Sequence, residues 1–363
     1  MLKTTPAVFA VGENYQIMVP TNCETLMAVR IGEEQYFDES NGIMRSDVIV
    51  HRVVVPKEEL DREKKYTLCI RKVIERKAYF TETEDEVVFS FDFRPVPNGK
   101  VRAYHIADAH NMVEAPVAAA LSYGDIDFLI LNGDIPDHSG NPENILTVYE
   151  IASKITKGNI PVVFARGNHD MRGLYADRFC DLVASNNGAS YYTFRLGQIW
   201  GIVLDCGEDK DDQHEAYGHT ICCNAFRKKQ ISFIEGVIKN KANEYEAEGI
   251  LYRIVICHNP FTEMLEYPHD IEKDVFELWA RLLRENVKPD LMLCGHLHEL
   301  AVNEVGSEKD HLGQPCTLVV GAEPWLMPGN ESFKGTGLNF ENGGIEITFT
   351  SSADGTKESY KIK

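Results

Sequence analysis

The sequence predicts an α/β layered fold preceded by a small antiparallel β-sandwich, and three observations predict it. Up to about Phe93 apolar residues alternate with period two, and after Lys100 short apolar runs are followed by helix-period segments. Between the two patterns, Arg94-Pro95-Val96-Pro97-Asn98-Gly99 places two prolines and a glycine in six residues. The first pattern is that of strands half-buried on one face, and the second that of strands covered on both faces by crossover helices. A proline-rich segment does not easily continue a sheet ladder, so the boundary falls there, giving units 1–95 and 100–363.

Within the first unit, Val87, Phe89, Phe91 and Phe93 point one way and Ser90 and Asp92 the other. Similar runs at Leu26–Ile31, Val48–Val55 and Tyr66–Ile70, separated by polar turns, supply the other strands of the sandwich. In the second unit a helix starts at Asn141-Pro142, with proline at the first helical position, and turns Ile145, Val148, Ala152 and Ile155 inward. Another takes Asp270 as N-cap, sets Ile271, Val275, Leu278, Trp279, Leu282 and Leu283 on one stripe, and stops before Pro289. Strands return at Thr317–Val320, Ile345–Thr350 and Ser359–Ile362, the last two around the turn Ser351–Gly355, and are expected to complete a second sheet.

With 363 residues, 44% of them hydrophobic, the chain can bury a large core without disulfides or a structural metal. Its formal charge of −19 repels DNA, RNA and anionic membranes and argues against a broad nucleic-acid surface. No stretch of eighteen apolar residues occurs, and Glu13 cuts off the run Ala7–Val11 before it reaches the length of a signal core. The expectation is a soluble, cytoplasmic chain with no membrane partner. The nine cysteines form no C-x-x-C pair, which fits reduced thiols, and the adjacent Cys222 and Cys223 read as packing or loop residues.

The most informative regularity is that five apolar runs of the second unit each lead into residues able to bind metal. They are Tyr104–Ile106 before Asp108 and His110, Phe128–Leu131 before Gly133-Asp134, Val162–Ala165 before Gly167-Asn168-His169-Asp170, Ile254–Cys257 before His258, and Leu291–Cys294 before Gly295-His296-Leu297-His298. Ligands collect at the carboxyl ends of strands in open α/β sheets, so all five are expected to converge. Mixed carboxylate oxygen and imidazole nitrogen suits two divalent transition metal ions, Mn, Fe or Zn. Asp134 is the natural bridge, because its two oxygens can hold two ions roughly 3.5–4 Å apart. Only Asp108 and Asp134 bring negative charge, so the loaded site stays cationic and attracts a phosphate group despite the acidic surface.

The ordered set D-x-H, G-D, G-N-H-D, H and G-H-x-H, spanning about Val101 to His298, resembles the calcineurin-like metallophosphoesterase family. The resemblance implies a four-layer α/β/β/α sandwich over 100–363. With the N-terminal sandwich, which would be fibronectin- or immunoglobulin-like over 1–95, the layout is similar to that of purple acid phosphatases. By the same resemblance, Asp108, His110, Asp134 and His298 would hold one ion, and Asp134, Asn168, His258 and His296 the other. His169, free of metal, would face the phosphoryl group and protonate the leaving oxygen, its tautomer fixed by Asp137 or Asp170.

Two departures narrow the resemblance. Asp137 stands where purple acid phosphatases carry a metal-binding tyrosine, which argues against an iron–tyrosinate centre. The arginine of the protein phosphatases' G-D-x-x-D-R-G is absent from Gly133-Asp134-Ile135-Pro136-Asp137-His138-Ser139-Gly140. Arg166 and His138 are the substitutes for it, although Arg166 serves equally well as the structural partner of an acid. The segment Gly207–Thr220 reads either as a solvated loop or as a lid that brings Tyr217 or His219 to the substrate. His51, His105, His269 and His311 belong to no constellation. The resulting expectation is hydrolysis of a small phosphorylated substrate, a phosphate monoester or small phosphodiester, by attack of a metal-bound hydroxide at a dinuclear centre. The rivals are a noncatalytic metal-binding scaffold of the same fold and a nuclease.

Overall fold

The computed structural model describes residues 1–362 apart from Pro328 and Asn330. Two sheets form its centre. Among the described residues, the larger has ten strands. From one edge they run Lys357–Ile362, Gly344–Ser351, Ser332–Glu341, Val101–Ile106, Phe128–Asn132, Pro161–Ala165, Ala7–Val11, Asn14–Pro20 and Val50–Pro56, with Glu323–Trp325 beside Ser332–Glu341. The second runs Tyr192–Leu196, Ile199–Leu204, Tyr252–Cys257, Leu291–Cys294, Leu318–Gly321 and Leu300–Asn303.

Strand periodicity explains why these sheets stack and why each is also covered by helices. Along the second sheet, Ile254, Ile256, Leu291 and Leu293 join the core of the first sheet. Their neighbours Val255, Cys257, Met292 and Cys294 pack instead with Ile234, Val237, Val275, Phe276 and Trp279 of the helices Cys223–Lys239 and Lys273–Leu282. On the far side of the first sheet lie Glu114–Tyr123 and Pro142–Thr156. The result is the four-layer α/β/β/α order. Asn132 ties the inner layers together, its Nδ2 donating across the sheets to the Leu293 carbonyl at 3.1 Å.

The helix at Asn141-Pro142 starts where its sequence indicates: the Asn141 side chain accepts from the Asn144 amide at 2.9 Å, a cap that contributes about 1 kcal/mol. The helix expected from Asp270 begins instead at Lys273. Glu272 is left-handed, with φ 55°, and its carboxylate accepts from Asn224 Nδ2 at 2.8 and 2.9 Å and from Arg227 Nη1 at 3.1 Å. Tertiary bonds thus take the segment that the local capping signal would have used. The last turn, Leu283–Val287, is π-helical and ends at Lys288, before Pro289.

The boundary at residues 95–100 marks a change of periodicity rather than a break in the sheet. Thr25–Ile31, Lys65–Arg76, Val87–Asp92, Glu34–Phe37 and Thr81–Thr83 form a separate antiparallel sheet. The fully buried strand Ala7–Val11, however, pairs in parallel with Pro161–Ala165, setting Val8 opposite Pro161 and Phe9 opposite Val162. The C-terminal strands divide as well. Leu318–Gly321 enters the second sheet, while Gly344–Ser351 and Lys357–Ile362 extend the first beyond Ser332–Glu341 instead of completing the second. Among the described residues no helix is long and apolar enough to cross a membrane. All nine cysteines are free thiols, with Cys223 buried and Cys222 exposed.

Candidate metal centre

All five clusters follow strands and meet at one end of the stacked sheets. Val101–Ile106, Phe128–Asn132 and Pro161–Ala165 of the first sheet deliver Asp108, His110, Asp134, Asn168 and His169; Tyr252–Cys257 and Leu291–Cys294 of the second deliver His258, His296 and His298. The turns that present them are tight. Asp108, His110, Asp134, His296 and His298 all have left-handed backbones, with φ of 53°, 44°, 52°, 70° and 54°. Each such non-glycine residue costs about 1–3 kcal/mol, and this kind of strain collects at functional sites. The glycines of the motifs have a steric cause: a Cβ on Gly295 would lie 2.5 Å from the Ala107 Cβ and 2.6 Å from Asp108 Oδ2.

The side chains form three donor groups, Asp108 with His110 and His298, Asp134 with His258 and His296, and His110 with Asp137 and His169, each with its ligand atoms within 4.8 Å of one another. His258 Nε2 lies 3.2 Å from Asp134 Oδ2 and 3.6 Å from Asp108 Oδ1. His298 Nε2 lies 3.4 Å from Asp108 Oδ1 and 3.0 Å from His110 Nε2. Asn168 joins the second group, its Oδ1 3.0 Å from His296 Nδ1.

This donor set fits divalent cations. His258 donates from Nδ1 to the Asn132 carbonyl at 2.6 Å, which leaves Nε2 as the donor atom; that buried Nε2, like His110 Nδ1, has no hydrogen-bond partner. Burial opposes charge on His258, but Asp134 and Asp108 overcome it and raise the imidazole to about 10. Burial, reinforced by His258, pushes His296 down to about 4. Burial also works against ionisation of Asp134, yet His258, His169 and His110 hold it well below the usual carboxylate range. Two buried carboxylates amid imidazoles call for positive charge, which protons or metal ions supply in competition.

His169 sits beside these groups, its Nε2 3.9 Å from Asp134 Oδ2. Of the two acids considered for fixing its tautomer, Asp137 is the one at hand. His169 Nδ1 lies 2.7 Å from the Asp137 carbonyl and 3.7 Å from its carboxylate. Asp170 is buried and turned away, accepting the Gly167 amide at 2.7 Å; burial and nearby Asp134 raise its pKa well above the ordinary range.

The three residues considered for substrate binding each have other partners or face solvent. Arg166 is committed to structure: its Nε donates to Asp205 Oδ2 at 2.6 Å and its guanidinium lies 5.3 Å from the Phe226 ring. His138 turns back on its own loop, its Nδ1 accepting the Gly140 amide at 3.0 Å and its carbonyl the Asn144 side chain at 3.0 Å. His219 is exposed, at φ 61°. The residue that does reach His169 is Arg172, which the sequence reading did not single out. Its Nη1 lies 2.8 Å from His169 Nε2, and its Nε and Nη2 each donate to buried Glu208 at 2.8 Å. Tyr217 contributes one step further out, donating to Glu208 at 3.1 Å and Asp209 at 2.9 Å.

Two stacked sheets whose strand ends present carboxylates, an amide and imidazoles in this order define a metallophosphoesterase fold. The chain belongs to the calcineurin-like phosphoesterase family, whose model matches residues 101–300, the stretch that carries all five clusters. Among solved structures it is similar to a purple acid phosphatase, PPD1, from yellow lupin (Lupinus luteus) seeds, with 12% identity over 99% of this chain and 74% of that one and a TM-score of 0.58. It is also similar to a dimetal phosphatase from Danio rerio, with 12% identity over 74% of this chain and 99% of that one and a TM-score of 0.48. At these identities the likeness concerns the fold. A search of curated proteins finds no similar sequence.

Proposed function

We propose that this protein hydrolyses a phosphate monoester or small phosphodiester at a centre of two divalent transition metal ions. The observation that carries this reading is the buried His258 Nε2, 3.2 Å from Asp134 Oδ2 and 3.6 Å from Asp108 Oδ1 with no well-directed hydrogen bond to either. Asp108, His110, Asp134 and His298 would hold one ion and Asp134, Asn168, His258 and His296 the other, both Mn, Fe or Zn. When bound, such ions polarise phosphoryl oxygens and acidify water, making it a nucleophile at neutral pH. In its imidazolium form, with Nδ1 donating to the Asp137 carbonyl, His169 would give the leaving oxygen the proton on Nε2, the atom that in this structure accepts from Arg172 Nη1 at 2.8 Å. The unit over residues 1–95 is proposed as a scaffold: its strand Ala7–Val11 supports the edge of Pro161–Ala165, the strand that leads to Asn168 and His169.

Metal-stripped protein reconstituted separately with Mn, Fe and Zn tests the reading. Hydrolysis is expected to return with at least one metal, on nitrophenyl phosphate, a bis-ester or a cyclic nucleotide, and not on single- or double-stranded DNA, which the −19 charge repels. Tight binding of two ions with no hydrolysis of any ester would favour the noncatalytic scaffold instead.

A further inference from the structure

On the far side of Arg172 from His169 opens a cleft of about 790 Å³ lined by Met171, Arg172, Leu174, Tyr217, Ile221 and Phe226, among others. Its volume falls within the range of ligand sites, roughly 300–1,000 Å³. Arg172 joins it to the centre: the residue lines the cleft while its Nη1 is 2.8 Å from His169 Nε2. Glu208 takes the other two guanidinium nitrogens, so the arginine is fixed with Nη1 directed at His169.

The rest of the wall is close to electrically neutral. Arg166, also on the wall, is neutralised by Asp205, and Arg172 by Glu208. Asp177 is exposed, with its carboxylate 3.8 Å from Arg178. Between them the lining is mostly apolar, with Tyr217, Thr220, Cys222 and Cys223 interspersed, and Leu174 leaves 71% of its surface uncovered. A leaving group that carried further phosphates or carboxylates would find no unpaired cation on this wall, whereas an aromatic or aliphatic one would cover Leu174.

We propose that this cleft receives the leaving group of the ester, that the group it fits is uncharged and apolar, of aryl size, and that Arg172 contacts the phosphoryl group being transferred. The proposal rests on the phosphoesterase reading of the adjoining centre.

Calorimetry on the metal-loaded protein tests it with phenylphosphonate against methylphosphonate, alongside kcat/KM for naphthyl and phenyl phosphate. Phenylphosphonate is expected to bind at least about tenfold tighter, equivalent to about 1.4 kcal/mol. Leu174→Asp, at an exposed position, is expected to bring that ratio near one and to raise KM for naphthyl phosphate, and Ile221→Asp to do the same. Equal affinities in the parent protein, or ratios unmoved by both variants, overturn the proposal while leaving an active phosphoesterase intact. Failure of either phosphonate to bind, together with no hydrolysis of any ester, overturns the phosphoesterase reading and this proposal with it.

Discussion

Asp134→Asn protein is expected to fold, to lose metal from two ions per chain to one or fewer, and to turn over esters at least about 10²–10³-fold more slowly. Asp134 does two things at once. Its Oδ1 accepts the His169 amide at 2.8 Å, a bond the asparagine oxygen can keep, so the loop that carries His169 has no reason to unfold. Its Oδ2 lies 3.2 Å from His258 Nε2, where an amide NH₂ would face an imidazole and offer no charge. The proposed centre then retains Asp108 as its one anion, too little to hold two divalent ions close together. Elemental analysis and steady-state assays on the same preparation check both effects. Parent-like turnover in purified Asp134→Asn protein would defeat the mechanism.

Gly167→Ala is expected to damage the same centre without changing any ligand. A Cβ there would lie within 2.5 Å of the Asp134 amide nitrogen and closer still to Oδ1. Neither atom can yield cheaply, because the Asp134 backbone is left-handed and its carbonyl accepts the His110 amide at 3.0 Å. Overpacking of this kind costs about 1–3 kcal/mol, which in a chain of this size lowers Tm by a few degrees. The larger effect is on the ligands, since a displacement of about 1 Å at a reacting centre can cost roughly 10²-fold in rate. Calorimetric metal titration and a thermal melt separate the two: affinity is expected to fall well out of proportion to Tm. Parent-like metal affinity would show that Asp134 does not need its observed position.

The order of strand-end clusters made the site legible because each depends on local pattern alone: a short apolar run, a glycine, then a ligand. Asp108, Asp134 and His258 are brought together by a topology that this alternation already implies. What escaped the sequence depends on partners distant along the chain. Arg172 bonds Glu208, 36 positions on, and Glu208 had read as one acid in a solvated loop although it is buried. Arg166 bonds Asp205, 39 positions away, a partner that no local pattern announces. Ala7–Val11, buried along its whole length, has no alternation to mark it as a strand, and so the link between the N-terminal residues and the larger sheet stayed hidden. His105, which belongs to none of the five clusters, is lowered to about 4 by burial, and its Nε2 lies 3.0 Å from Asn132 Nδ2.

Crystals of the protein soaked in Mn²⁺ and measured by anomalous diffraction test the shared-aspartate centre most directly. Two peaks roughly 3.5–4 Å apart are expected, one beside Asp108, His110 and His298, the other beside Asn168, His258 and His296, with Asp134 between them. A single peak, or peaks that leave Asp134 outside both coordination shells, would contradict it.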